Sequence, residues 1–240
     1  MNSNLTKQTT VGSLVAEDFN RAQLFERLGI DYCCHGSDTL EVACKKAYLN
    51  SDDVLAMLEN KNEVASASLD FSSWPLDLLV DYVLKKHHRN FHLYRDALMQ
   101  LVNKVASVHG NRHPELLDIR NEVAASFEEL EAHFAKEENI LFPRLYEIYN
   151  AHEEGRAAAP FHCGTIEAPV RQMMIEHDDA GETWARIAKL TNNFTTPTDG
   201  CNSYRLMNQQ LKQFLLDLKE HISLENNLIF QGFLRMEQLR

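Results

Sequence analysis

His133-Phe134-Ala135-Lys136-Glu137-Glu138-Asn139-Ile140-Leu141-Phe142 and His221-Ile222-Ser223-Leu224-Glu225-Asn226-Asn227-Leu228-Ile229-Phe230 are two copies of one pattern, H-x3-E-x-N-x-[IL]-[LI]-F, set 88 residues apart. In each copy the histidine and the glutamate are i and i+4, which stacks them on one face of a helix. That face is apolar: Leu130 precedes His133 by three residues and Leu141 follows Glu137 by four. An ionised carboxylate on a core face is very costly unless it is paired or binds a metal. A single His–Glu pair of this kind is ordinarily a surface pair or a satisfied core contact. Two copies on core stripes, each with a histidine upstream at matching distance, point to ligands. His88 stands 45 residues before His133, and His177 stands 44 before His221.

Each half therefore reads as a helical hairpin with one histidine on its first helix and a His–Glu pair on its second. Two hairpins packed with these faces inward bring His88, His133, Glu137, His177, His221 and Glu225 to one point. Mixed imidazole and carboxylate donors suit iron, manganese or zinc rather than calcium or magnesium. Six ligands exceed the four of a closed zinc site, so two metal ions bridged by the carboxylates is the economical reading. His87 and His92 flank the first ligand position. His92 is i+4 from His88 and could join the site, but the matching position in the second half is Gly181. Glu138 is read as facing away from the site and tolerant of replacement. His109, His113, His152 and His162 fall in or near loops and read as solvated.

Working outward, four amphipathic helices cover roughly 75–108, 114–150, 167–192 and 203–236. Ile119, Val123, Phe127, Leu130 and Phe134 mark the buried stripe of the second, and Met207, Leu211, Phe214, Leu218 and Ile222 that of the fourth. Pro114 suits a first helical turn. The expected fold class is all-α, a small N-terminal helical domain followed by an up-down-up-down four-helix bundle. The domains are read as 1–60, a Ser/Ala-rich linker 61–74, and the bundle 75–240. Within 1–60, the spacing from Val11 to Leu28 predicts helix up to a stop at Gly29. A short helix follows from Asp38 or Thr39, and another after the cap cluster Ser51-Asp52-Asp53.

Composition agrees. Of 240 residues 44% are hydrophobic and 25% charged, and 9 glycines with 6 prolines are too few for a turn-rich sandwich or barrel. A net charge of −11 without a large basic cluster argues against a nucleic-acid or anionic-membrane partner. No apolar run approaches the roughly 20 residues of a membrane span, and residues 1–12 lack the order of a secretory signal. Five cysteines, two of them adjacent, fit a reducing, cytoplasmic setting. Cys33 and Cys34 lie beside His35 and Gly36, just before a helix start, where a thiol is more acidic and reactive. They read as a redox or metal-handling pair, with simple burial as the bland alternative. Cys44, Cys163 and Cys201 carry no such signal.

The paired motif, Glu176-His177-Asp178-Asp179-Ala180-Gly181-Glu182, Thr191-Asn192-Asn193 and Asp31-Tyr32-Cys33-Cys34 together resemble the RIC/ScdA/YtfE family of iron–sulfur cluster repair proteins, over about residues 10–235. The resemblance implies an N-terminal Cys-Cys domain and a hemerythrin-like bundle. It also implies a non-haem di-iron centre, two iron ions bridged by carboxylate and oxo groups. The family's ligands fall on His88 rather than His87, and on His133, Glu137, His177, His221 and Glu225. Cys33 and Cys34 would assist iron transfer or redox steps. The implied function is repair of clusters damaged by nitric oxide or peroxide, by supplying iron. Damaged iron–sulfur proteins would be the partners, nitric oxide or O2 the small ligands, and a metal-binding repair protein rather than an enzyme the class. Nitric oxide reduction at the same centre, or O2/NO sensing, are the competing readings. Oligomeric state stays open, a homodimer included. Two departures stand out: His35 replaces a more usual glycine, and Phe230-Gln231-Gly232 replaces a Phe-Pro.

Overall fold

The computed structural model describes residues 5–60, 69–162 and 164–238. Positions 61–68 of the expected linker, and Cys163, lie outside the described residues. Four short helices come first: α1 (Val11–Glu17), α2 (Arg21–Leu28), α3 (Leu40–Lys46) and α4 (Ser51–Glu59). Four long helical stretches follow, α5 over 76–109, α6 over 115–153, α7 (Glu167–Leu190) and α8 over 202–238. No strand forms among the described residues, where the one bridge joins Thr10 to Thr39. No described helix is long and apolar enough to cross a membrane. The described chain divides into two compact units, one of 1–80, 148–158 and 222–240, the other of 81–147 and 159–221.

In the first unit, Thr10, Thr39 and Asn50 cap α1, α3 and α4 with side-chain oxygens that accept backbone N–H groups. The expected run to Gly29 breaks at Asp18-Phe19-Asn20. Asp18 Oδ1 accepts from both the backbone and side-chain N–H groups of Asn20, a local turn that competes with the helix ladder. Gly29, at φ 68°, then ends α2 in the left-handed conformation. Phe71 is buried edge-on between Phe19 and Trp74 at 4.9 and 5.0 Å, so the end of the linker span is packed.

The loop that carries the two cysteines is docked on α8 within this same unit. Asn227 Nδ2 donates to the carbonyl of Tyr32 and Asn226 Nδ2 to that of Cys33, both at 3.1 Å. A Cβ on Gly12 would come within 2.2 Å of Asn227 Oδ1, and one on Gly36 within 2.6 Å. Two glycines therefore let this side chain sit between two stretches of backbone.

In the second unit, α6 packs against both α5 and α7. Phe214 of α8 reaches Phe91, Phe127 and Trp184, one ring from each of the other three helices, at 6.2, 5.2 and 4.6 Å. Trp184 satisfies its indole N–H on Ser126 Oγ at 2.9 Å, so this aromatic layer leaves no donor stranded. His152 and His162 are exposed, as expected, but His109 is only 5% exposed: the end of α5 is covered by the residues that open α8.

Three stretches widen from α- to π-helical geometry: Val83–His88, Glu137–Leu141 and Glu225–Ile229. The N–H of Phe142 reaches back five residues to the Glu137 carbonyl, and that of Phe230 to the Glu225 carbonyl. The distortion thus repeats with the sequence motif. Gln231 follows the second wide turn where Pro143 follows the first, so a missing N–H is not required for it. Single π turns inside α-helices are frequent at functional sites. Here each begins or ends on a candidate ligand.

Candidate metal centre

All six predicted ligands are buried, none more than 3% exposed. His88 ends the wide turn of α5, His133 and Glu137 lie one turn apart on α6, His177 is mid-way along α7, and Glu225 is one turn beyond His221 on α8. Their donor atoms fall into two overlapping groups, each with all donors within 4.8 Å of one another. One comprises His88, Glu137, His221 and Glu225, the other His133, Glu137, His177 and Glu225. The two glutamates belong to both groups, and the histidines divide two and two. The division crosses the repeat: His88 is grouped with the histidine of the second motif, and His177 with that of the first. Which imidazoles share a group is a property of the packing, absent from the spacing.

Ring orientation is set from outside. His88 Nδ1 lies 2.9 Å from Glu138 Oε1, and His133 Nδ1 2.8 Å from Glu176 Oε2. Each Nδ1 donates to its carboxylate, which turns the Nε2 lone pair inward, the arrangement that metal-binding histidines use. His88 Nε2 and His133 Nε2 each stand 3.4 Å from the same oxygen, Glu137 Oε2. His133 Nε2 and His177 Nε2 are 3.1 Å apart, and His88 stacks on Phe134 at 4.1 Å.

Glu137 tests whether these residues suit a cation. It is fully buried, and neither of its oxygens makes a hydrogen bond. Burial pushes its carboxyl up, but the imidazoles of His133 and His88 outweigh that and hold it well below the usual range. An anion kept in a core without hydrogen bonds, facing converging ring nitrogens, fits a divalent metal. His133 likewise holds Glu176 down at about 2, against the opposing effect of burial and with help from Lys136 and Gln172.

The flanking histidines are elsewhere. His92 is exposed and meets Glu138 Oε1 at 3.2 Å. His87 is buried but faces Asp217, 3.0 Å from its Nδ1, and stacks on His221 at 5.6 Å. Neither joins a donor group. Glu138 requires a correction. It does not face away; it orients His88, and the wide turn that starts at Glu137 brings it round. Loss of such an outer partner typically costs 10–100-fold in metal affinity. Glu138→Gln should weaken metal binding by that factor in a chelator competition, with the helix content unchanged. Wild-type affinity would show that His88 is held by other means.

At the N-terminal end, Asp31 organises the cysteine loop. Its Oδ1 accepts the backbone N–H groups of Cys33 and Cys34 at 3.1 and 3.0 Å and the Cys33 thiol at 3.3 Å. The two sulfurs are 3.6 Å apart, and with Asp31 they form a third group of donors. His35 Nδ1 binds Asp31 Oδ2 at 2.7 Å.

Residues 7–62 match a domain of unknown function, ScdA_N (DUF542), and residues 79–232 match the hemerythrin HHE cation-binding domain. Proteins named iron–sulfur cluster repair protein YtfE align over nearly the whole length. Those of Pectobacterium atrosepticum and Pectobacterium carotovorum are 32% identical, and that of Yersinia pestis (strain Pestoides F) is 31% identical. Each alignment covers 96% of this chain and 99% of the relative. The chain belongs to the YtfE family. Its hemerythrin match spans α5 to α8 except their outermost turns and contains all six candidate ligands, while its ScdA_N match contains Asp31, Cys33 and Cys34. The cation-binding character of this YtfE-family chain therefore rests on the bundle. What sequence reasoning missed is the outer layer, Glu138 and the asparagines 226 and 227. The second glutamate of Glu137-Glu138 was the available signal.

Proposed function

We propose that this protein binds two iron ions and supplies iron to damaged iron–sulfur clusters; His88 and His221 would hold one ion and His133 and His177 the other, with Glu137 and Glu225 common to both donor groups. The observation that carries the reading is the pair of overlapping donor groups that share both carboxylates. Bound there, iron would supply both redox chemistry and the cargo that a damaged cluster lacks. The rest falls to the chain. Glu138 and Glu176 keep the Nδ1 protons in place, so that Nε2 remains the donor. A polar cavity of about 570 Å3 opens onto His133 and His177, and its lining sets Glu129, Glu176, Asp179 and Glu182 against Lys136 and Arg186, a net negative approach for a cation. The division into 1–60, 61–74 and 75–240 gives this reading its working parts, a cysteine domain and a metal-holding bundle. Damaged iron–sulfur proteins are the partners, and nitric oxide or O2 the small ligands met at the centre.

Cys33 and Cys34 are assigned to the transfer step, because Asn226, next to Glu225, holds the carbonyl of Cys33. Replacing both with serine should leave the metal content and optical spectrum of anaerobically purified protein intact while lowering reactivation of a nitric-oxide-damaged cluster enzyme. Full reactivation by the well-folded double variant removes the cysteines from the transfer. Steady-state nitrous oxide formation with a reductant, and no reactivation, would replace iron supply by nitric oxide reduction.

A further inference from the structure

Cys201 precedes α8 and His109 lies in the last turn of α5, both within the second unit. His109 is closed in by the ring of Tyr204 at 5.5 Å. Its Nδ1 is buried with no hydrogen bond, and its Nε2 lies 3.2 Å from Cys201 Sγ. Cys201 is exposed, so a buried imidazole backs a thiol that solvent can reach. The cysteine also caps α8. Its carbonyl accepts the Arg205 N–H at 3.1 Å, at a position usually filled by Ser, Thr, Asp or Asn. The N-terminus of a long helix favours negative charge, and an imidazole at hydrogen-bond distance can take a thiol proton. The Tyr204 N–H, then His109, lower the thiol to about 7 against an opposing effect of burial, with Ser203 adding to the drop.

We propose that Cys201 and His109 form a nucleophilic thiol–imidazole pair that reacts with hydroperoxides, a modification site separate from the metal centre. It lies about 30 Å along α8 from His221, at 1.5 Å per residue. The sulfur attacks one peroxide oxygen; an S–O bond forms as the O–O bond breaks. The sulfur is oxidised by two electrons to a sulfenic acid and the peroxide is reduced. The thiol proton passes by His109 Nε2 to the departing hydroxide or alkoxide, which leaves as water or alcohol. Reactivity of this kind follows thiolate character and exposure together. The other charged groups around the thiol, from the α5–α6 turn, α6 and the segment before α8, pair with one another. His113 meets Asp199 at 3.0 Å and Glu115 at 3.3 Å, and Arg112 meets Asp199 at 3.5 Å.

The test uses the full-length, metal-loaded protein. Hydrogen peroxide is added with dimedone, which traps sulfenic acids, and the Cys201 peptide is read by mass spectrometry. Alkylation of the same peptide by iodoacetamide is followed against pH. The pair predicts a dimedone adduct on Cys201 and an alkylation midpoint near 7. His109→Gln should move that midpoint by about one unit toward the 8.5 of an ordinary thiol. His113→Gln, which alters a ring held by Asp199 and Glu115, should leave it in place. No adduct, or an ordinary midpoint in the wild-type protein, overturns the proposal even if His109→Gln does not fold. So does an unmoved midpoint in His109→Gln, or an equal shift in His113→Gln.

Discussion

Glu137→Ala should cut bound metal from the proposed two ions per chain to one or none, an effect matched among single replacements by loss of Glu225, the other shared carboxylate. Glu137 Oε2 lies 3.4 Å from both His88 Nε2 and His133 Nε2, and the residue belongs to both donor groups. Its loss therefore removes a ligand from each position rather than weakening one. Without metal a smaller loss remains. In the apo protein the imidazoles of His133 and His88 hold the fully buried carboxylate ionised, and removing one partner of a buried charge pair costs on the order of 3–5 kcal/mol. Apo Glu137→Ala should therefore melt below the apo wild type, and the variant in excess metal should melt further below the loaded wild type. Metal analysis with thermal unfolding, each done with and without metal, checks both losses. Two tightly held ions in Glu137→Ala would remove this residue from the centre.

Stripping the metal from the wild-type protein with a chelator should lower its melting temperature by roughly 16–32 °C while leaving far-ultraviolet dichroism nearly unchanged. Each ion present at about a thousandfold its Kd stabilises by about 4 kcal/mol, so two give about 8 kcal/mol, and each kcal/mol moves Tm by about 2–4 °C at this chain length. Helix content should survive, because the layer of Phe91, Phe127, Trp184 and Phe214 packs the four helices without ligands. Mild acid should act like the chelator. Four imidazoles must be neutral to bind, so affinity should fall steeply as pH drops through the histidine range near 6.5. A melting temperature indifferent to both treatments would mean that the six buried groups are stabilised by one another alone.

Helix positions and the inward faces were legible because i,i+4 spacing and the apolar stripes of Leu130, Leu141 and Ile222 are local facts. The partition of four histidines into two groups was not, since it depends on which helices adjoin. Nor were the wide turns at Glu137 and Glu225, which no propensity marks: one is followed by proline and the other by glutamine. Glu138 was misread for that reason, a regular α-helix having been assumed past Glu137. Asp18 broke a predicted helix because a short side chain outbid the backbone ladder for Asn20. His109 looked solvated because burial at a helix end depends on a segment about 90 residues later in the chain.

The crossed division of the histidines bears on when metal can enter during synthesis. His88, His133, Glu137 and His177 leave the ribosome first, yet they hold one complete pair of imidazoles with a single carboxylate, and a lone histidine for the other position. Both positions wait for His221 and Glu225. At roughly 5–20 residues per second the interval after His177 is a few seconds, during which the nascent chain exposes half-built sites to whatever ions the cell supplies. A wrong ion taken up then would have to be exchanged after α8 closes the bundle. With two ions bound as proposed, selection of the metal would set the rate of translation against the rate of exchange.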